Sequence, residues 1–151
     1  MGGGVLCLDG NTDRSGYYGI ILTCNKYHEN MSEEEAKKII KKFLDALRNR
    51  AKLEEKKKTG NGWKYWVFVG FSKSNQKVKK ERPHFHVVLL ADPAWRVCEW
   101  VNNYWNPPKK SKRERIGIVK RQKLEPKGVG FFTGGYIAGQ ADFIREQRLG
   151  M

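Results

Sequence analysis

Two hydrophobic rhythms alternate along this chain, and their order constrains its fold more than any other feature. The stretch "RPHFHVVLLADP", residues 82–93, carries the two-residue rhythm of a strand. His84, His86, Val88 and Leu90 then share one face, and Phe85, Val87 and Leu89 share the other. "YYGIILTC" (17–24), "WKYWVFVGF" (63–71) and "RIGIVKRQ" (115–122) also read as strands, with a short one at 129–132. The helical rhythm appears after Ser32, where apolar residues fall at 36, 39, 40, 43, 44, 47 and 51. Ser32 with Glu35 makes a capping box at its start. A second helix runs from an Asp92 N-cap and Pro93 through apolar residues at 94, 97, 98, 101, 104 and 105, until "NPP" stops it. "YIAGQADFIREQRL" reads as a final helix.

The predicted order is β-α-β-β-α-β followed by a helix. That is an α+β arrangement of the split βαβ, ferredoxin-like (RRM-like) kind, an antiparallel sheet with two helices on one face. Its third strand is central, so the histidines would stand on a rigid platform. Residues 1–16, rich in Gly, Asp, Asn and Ser, read as a flexible lead-in, and 17–151 as one domain.

Charge narrows the class of partner. The chain of 151 residues holds 30 basic and 16 acidic side chains, a net +14. Such an excess draws polyanions, nucleic acid first. Residues 109–127 hold nine basic and two acidic side chains, so their net +7 is half of the total. No apolar run approaches the roughly 20 residues of a membrane span, and the first 30 residues lack the basic start and apolar stretch expected of a secretory signal. Three scattered cysteines without paired spacing point to a reducing, cytoplasmic setting.

Two imidazoles on one strand face either pinch a metal ion or serve as polar residues at a strand entrance. Two histidines alone underbind a metal, so a third ligand is needed. On the final helix Tyr136 and Gln140 stand four apart, on one face. Packed across the histidines, Gln140 would offer its amide oxygen, and Tyr136 would stand near as a nucleophile. Tyr136 packing on the sheet, and Gln140 in solvent or bonded to Tyr136, are the plain alternatives. One or two of the five tryptophans are expected to stay exposed as stacking platforms for unpaired bases.

"HFHVVLL" resembles the His-hydrophobic-His strand motif of the HUH endonucleases, the nickases of rolling-circle replication, conjugation and single-strand transposition. "YIAGQ" resembles their tyrosine motif, and "GIILTC" their first strand motif. The resemblance covers residues 17–148. It implies that His84, His86 and Gln140 bind Mg²⁺ or Mn²⁺, and that Tyr136 attacks the scissile phosphate, giving a 5′-phosphotyrosine and a free 3′-OH. It implies an enzyme that nicks and joins single-stranded DNA at an origin or hairpin, as a plasmid or viral replication initiator does. Arg82, Lys109, Lys110, Lys112, Arg113, Arg115, Lys120, Arg121 and Lys123 would then contact the DNA. A homodimer and a helicase, supplied by the host or by the element, are its further implied partners. Two departures stand out. Gly139 replaces a common lysine, and "VGFSKSN" lacks the acidic ligand of many initiators. A single-strand transposase, and a nucleic-acid-binding module with a decayed site, are the alternative readings.

Overall fold

The computed structural model describes residues 15–24, 31–57, 62–75, 80–131 and 143–149. Five strands and three helices follow one another: β1 (Gly16–Thr23), α1 (Glu33–Lys56), β2 (Lys64–Asn75), β3 (Lys80–Asp92), α2 (Ala94–Trp105), β4 (Val119–Leu124), α3 (Pro126–Phe131) and β5 (Phe143–Leu149). The chain is an α+β structure. Its strands form one sheet in the order β4-β1-β3-β2-β5, and every neighbouring pair is antiparallel. β3 is the central strand.

Alternation along β3 sorts its side chains as the sequence predicts. Phe85, Val87 and Leu89 are buried with Ile20 and Leu22 of β1, Val67, Val69 and Phe71 of β2, and the apolar stripes of both long helices. The larger core is therefore on one face of the sheet, and a smaller cluster around Val88 and Leu124 lies on the other. Trp105 at the end of α2 fills the middle of the larger core, edge-on to Phe43 of α1 and to Phe85 of β3 at 5.9 and 5.7 Å. α1 starts as its capping box requires: Ser32 Oγ accepts the Glu35 N–H at 3.1 Å. Its buried positions Ala36, Ile40, Phe43, Leu44, Leu47 and Ala51 keep the helical spacing.

Several boundaries differ from the sequence reading: β2 runs on to Asn75 and β3 starts at Lys80, and four further assignments change. The final helix predicted through residue 149 gives way to strand β5 from Phe143 onward. The reason is not local. Without β5, strand β2 would present a row of unpaired N–H and C=O groups. The ladder sets Phe143 opposite Phe71 and Leu149 opposite Tyr65, two buried positions of β2. Of the short strand predicted at 129–132, residues 129–131 fall instead in helix α3, and 132 lies outside the described residues. Asp92 is not an N-cap: it still pairs with Lys64 in the ladder, and Pro93 takes the cap position without a side-chain bond. The fourth strand starts at Val119 rather than 115. Before it, Ile116 and Gly117 both donate their N–H to the Trp105 carbonyl, at 2.9 and 3.2 Å. The Ile118 N–H goes to Thr23 Oγ1 at 3.1 Å. These bonds tie the connection to the ends of β1 and α2, which leaves no ladder to form there.

Candidate metal and nucleic-acid site

The pairing registers build the site from β3 outward. His86 stands opposite Ile21 of β1 and Gly70 of β2, and His84 opposite Thr23 and Ser72. All of these belong to the sheet face turned away from α1 and α2, because directly paired residues share a face. Between Ser72 and Ser74 the register slips by a β-bulge, whose extra residue falls on β3 just ahead of His84. Pro83 occupies this irregularity, one of the few places where a strand accepts a residue without an N–H.

The two imidazoles converge. His84 Nε2 lies 3.0 Å from His86 Nε2, one ring donating and the other accepting. The rings meet edge to face, with centroids 4.7 Å apart. His86 is buried, at 6% exposure. Burial, reinforced by the neighbouring His84, pushes its pKa down to about 4. At neutral pH His86 is thus uncharged, the form in which an imidazole ligates a metal.

The donor set fits a divalent ion. Two nitrogens 3.0 Å apart, each about 2.1 Å from one ion, subtend about 90° there, the angle between adjacent ligands of an octahedron. The proton they share would have to leave first. Among the described residues no group of three or more His, Cys, Asp and Glu side chains comes together to hold a metal. A third protein ligand therefore has to be of another type or come from elsewhere. Tyr136 and Gln140 lie outside the described residues. The helical continuation expected after them is overturned from residue 143, where the chain is strand β5.

The predicted DNA contacts divide between the two sides of the sheet. Lys120 of β4 pairs with Ile21, which pairs with His86, so Lys120 shares the histidine face two strands away. Arg121 and Lys123 pair with Ile20 and Tyr18 and belong to the helix-covered side. Burial pushes the Cys98 thiol of α2 up to about 11, a rise that the nearby Arg121 charge opposes. Lys109, Lys110, Lys112, Arg113 and Arg115 are exposed on the connection between α2 and β4. Arg113 sits over the Tyr104 ring at 4.8 Å. Arg82 lies in β3 beside the bulge.

Pairing across the sheet brings to this face residues that the sequence of β3 alone does not reveal. Gly70 and Ser72 flank the histidines with small side chains. Trp66 and Phe68, four and two residues before Gly70, stack at 6.4 Å between centroids and 26° between planes. Both are half-buried on the histidine face, where Tyr17, Val88, Leu124 and Val129 of α3 pack with them. Of the five tryptophans, Trp105 is core, Trp63 and Trp100 pack against it, and Trp95 is the exposed one at 45%. No helix among the described residues is long and apolar enough to cross a membrane. Set against models of known families, curated proteins and solved structures, the chain matches none.

Proposed function

We propose that the chain is a metal-dependent nuclease and strand transferase of the HUH type, acting on single-stranded DNA. The observation that carries this reading is the convergence of His84 Nε2 and His86 Nε2 on one point, 3.0 Å apart, on the central strand. The strand order β4-β1-β3-β2, with β5 added at the β2 edge, supports a ferredoxin-like reading of the sheet.

In this reading His84 and His86 hold Mg²⁺ or Mn²⁺, with Gln140 as the third protein ligand. The ion, when bound, supplies Lewis-acid polarisation of the scissile phosphate. Tyr136 is the nucleophile. Its phenolic oxygen bonds to phosphorus as the bond to the 3′-oxygen breaks. The phenol gives up its proton, and the leaving oxygen takes one up as the 3′-OH. The second strand-transfer step is the reverse, with another 3′-OH attacking the 5′-phosphotyrosine. Lys120, on the same sheet face, is placed to meet the phosphate backbone. The stacked Trp66 and Phe68 give unpaired bases an aromatic surface on that face. Such an activity suits a replication initiator of a plasmid or virus.

The test is a denaturing gel of the protein incubated with labelled single-stranded origin or hairpin DNA and Mn²⁺. A covalent adduct is expected, absent from Tyr136→Phe and from a chelated sample. An adduct that Tyr136→Phe forms equally well would sink the assignment, and so would the lack of any adduct.

A further inference from the structure

A second feature lies on the opposite side of the sheet. Helix α2 and edge strand β4 enclose a cleft of about 300 Å³, lined by Trp95, Glu99 and Asn102 of the helix and by Val119 and Arg121 of the strand. This volume is at the lower end of what small-molecule sites occupy. The helical residues are spaced four and three apart, so they form one continuous ridge along the groove. The strand residues are two apart and share a face.

The lining has the parts of a nucleobase site. Trp95 is 45% exposed, which leaves ring surface open to a stacking partner. Arg96 covers one face of its ring at 5.2 Å, which steadies it. Among the described residues, Glu99 and Asn102 engage no side-chain hydrogen bond or ion pair. A carboxylate accepts only, so the ligand it faces must donate. Guanine carries an imino N–H and an amino group side by side on one edge, which together match a carboxylate. Beside them is the O6 acceptor, which suits the Asn102 amide. Thymine and uracil have no amino group to offer. Arg121 in the cleft wall and the exposed Lys123 supply cations for the attached phosphate.

We propose that this α2–β4 cleft binds a guanine nucleotide, with the base against Trp95 and its donor edge on Glu99. The site stands apart from the histidines, and its occupation requires neither the metal nor Tyr136. It gives the chain a way to select one base at a distance from the point of cleavage.

The test follows the indole N–H resonance of Trp95 in the full chain labelled with ¹⁵N, identified as the signal missing from Trp95→Phe. The oligonucleotide d(TGT) is titrated against d(TTT), and guanosine monophosphate against the monophosphates of adenosine, cytidine and uridine. A saturable shift with the guanine ligands, about tenfold weaker in Glu99→Gln for the loss of one bidentate pairing, is the expected result. A shift with d(TGT) alone makes the ligand a guanine within a strand, and a shift with both sources includes the free nucleotide. Equal shifts from all four bases, or none from guanine, overturn the proposal. His84→Ala should leave the titration unchanged, so this site and the nuclease reading can fail separately.

Discussion

Gly117 lies against the Thr23 carbonyl so closely that a Cβ at position 117 would overlap the oxygen. The same carbonyl accepts the indole N–H of Trp105 at 2.7 Å. The end of β1 is therefore clamped between the connection leading to β4 and the core of α2. Thr23 in turn pairs with His84, so this clamp supports one flank of the histidine pair.

Gly117→Ala should cost about 1–3 kcal/mol, the usual range for forcing extra atoms into a packed site. The overlapped atom is backbone and has little room to yield. Gly19→Ala is the control, because its Cβ would meet only the Leu124 side chain at 3.4 Å. That change should stay within about 0.5 kcal/mol. Urea unfolding of the two variants checks both values, and equal costs would deny the clamp.

Mn²⁺ should raise the thermal midpoint of the wild-type chain. At an ion concentration of about 100 times Kd the gain is about 2.7 kcal/mol. His84→Ala and His86→Ala should each lose most of it. The shift is read by scanning calorimetry with and without chelator, and an equal shift in all three proteins would place the ion elsewhere.

The depressed pKa of His86, about 4, makes stability depend on pH in a defined direction. Between the ordinary histidine value of about 6.5 and the folded value, the unfolded chain binds the proton and the folded one does not. Stability should therefore fall as pH drops through this window, by up to about 1.4 kcal/mol per unit. The loss levels off below pH 4, where both states are protonated. His86→Asn should flatten this part of the profile in chemical denaturation from pH 7 to 4.

Single-strand binding should weaken with salt. Replacing Lys109, Lys110 and Lys112 together by alanine should lower the slope of log affinity against log salt by up to about 2, near 0.7 for each lost phosphate contact. Fluorescence anisotropy with a labelled oligonucleotide measures it. An unchanged slope would remove this exposed segment from the DNA path.

What the sequence discloses here follows from the range of the forces involved. Ser32, Glu35 and the stripe from Ala36 to Ala51 act within a few turns, and α1 forms where they predict. The alternation from His84 to Leu90 also acts locally, and β3 keeps it. β5 was illegible because Phe143, Ile144 and Leu149 fit a helical stripe as well as a strand. The deciding partner, the open edge of β2, lies far earlier in the chain, with pairs from Phe71↔Phe143 to Tyr65↔Leu149. The sequence alone groups Arg121 and Lys123 with Lys120 as one basic run. Only the register against β1 reveals that neighbours along β4 face opposite sides of the sheet. The convergence of His84 on His86 extends the legible part, since one strand supplies both rings. Gly70, Ser72 and Lys120 join them only through pairing with other strands.

The pleat of β3 ties two selective demands to a single phase. Phe85, Val87 and Leu89 must point inward for the domain to fold, and this alone turns His84 and His86 outward together. Inserting one residue between Phe85 and His86 would put the rings on opposite faces or drive a core position into solvent. Inserting two would restore the phase but separate the rings by two further positions along the strand. The adjacency of the two imidazoles is thus guarded by the hydrophobic core, and a search for tolerated insertions should find β3 closed to them from His84 to Leu89.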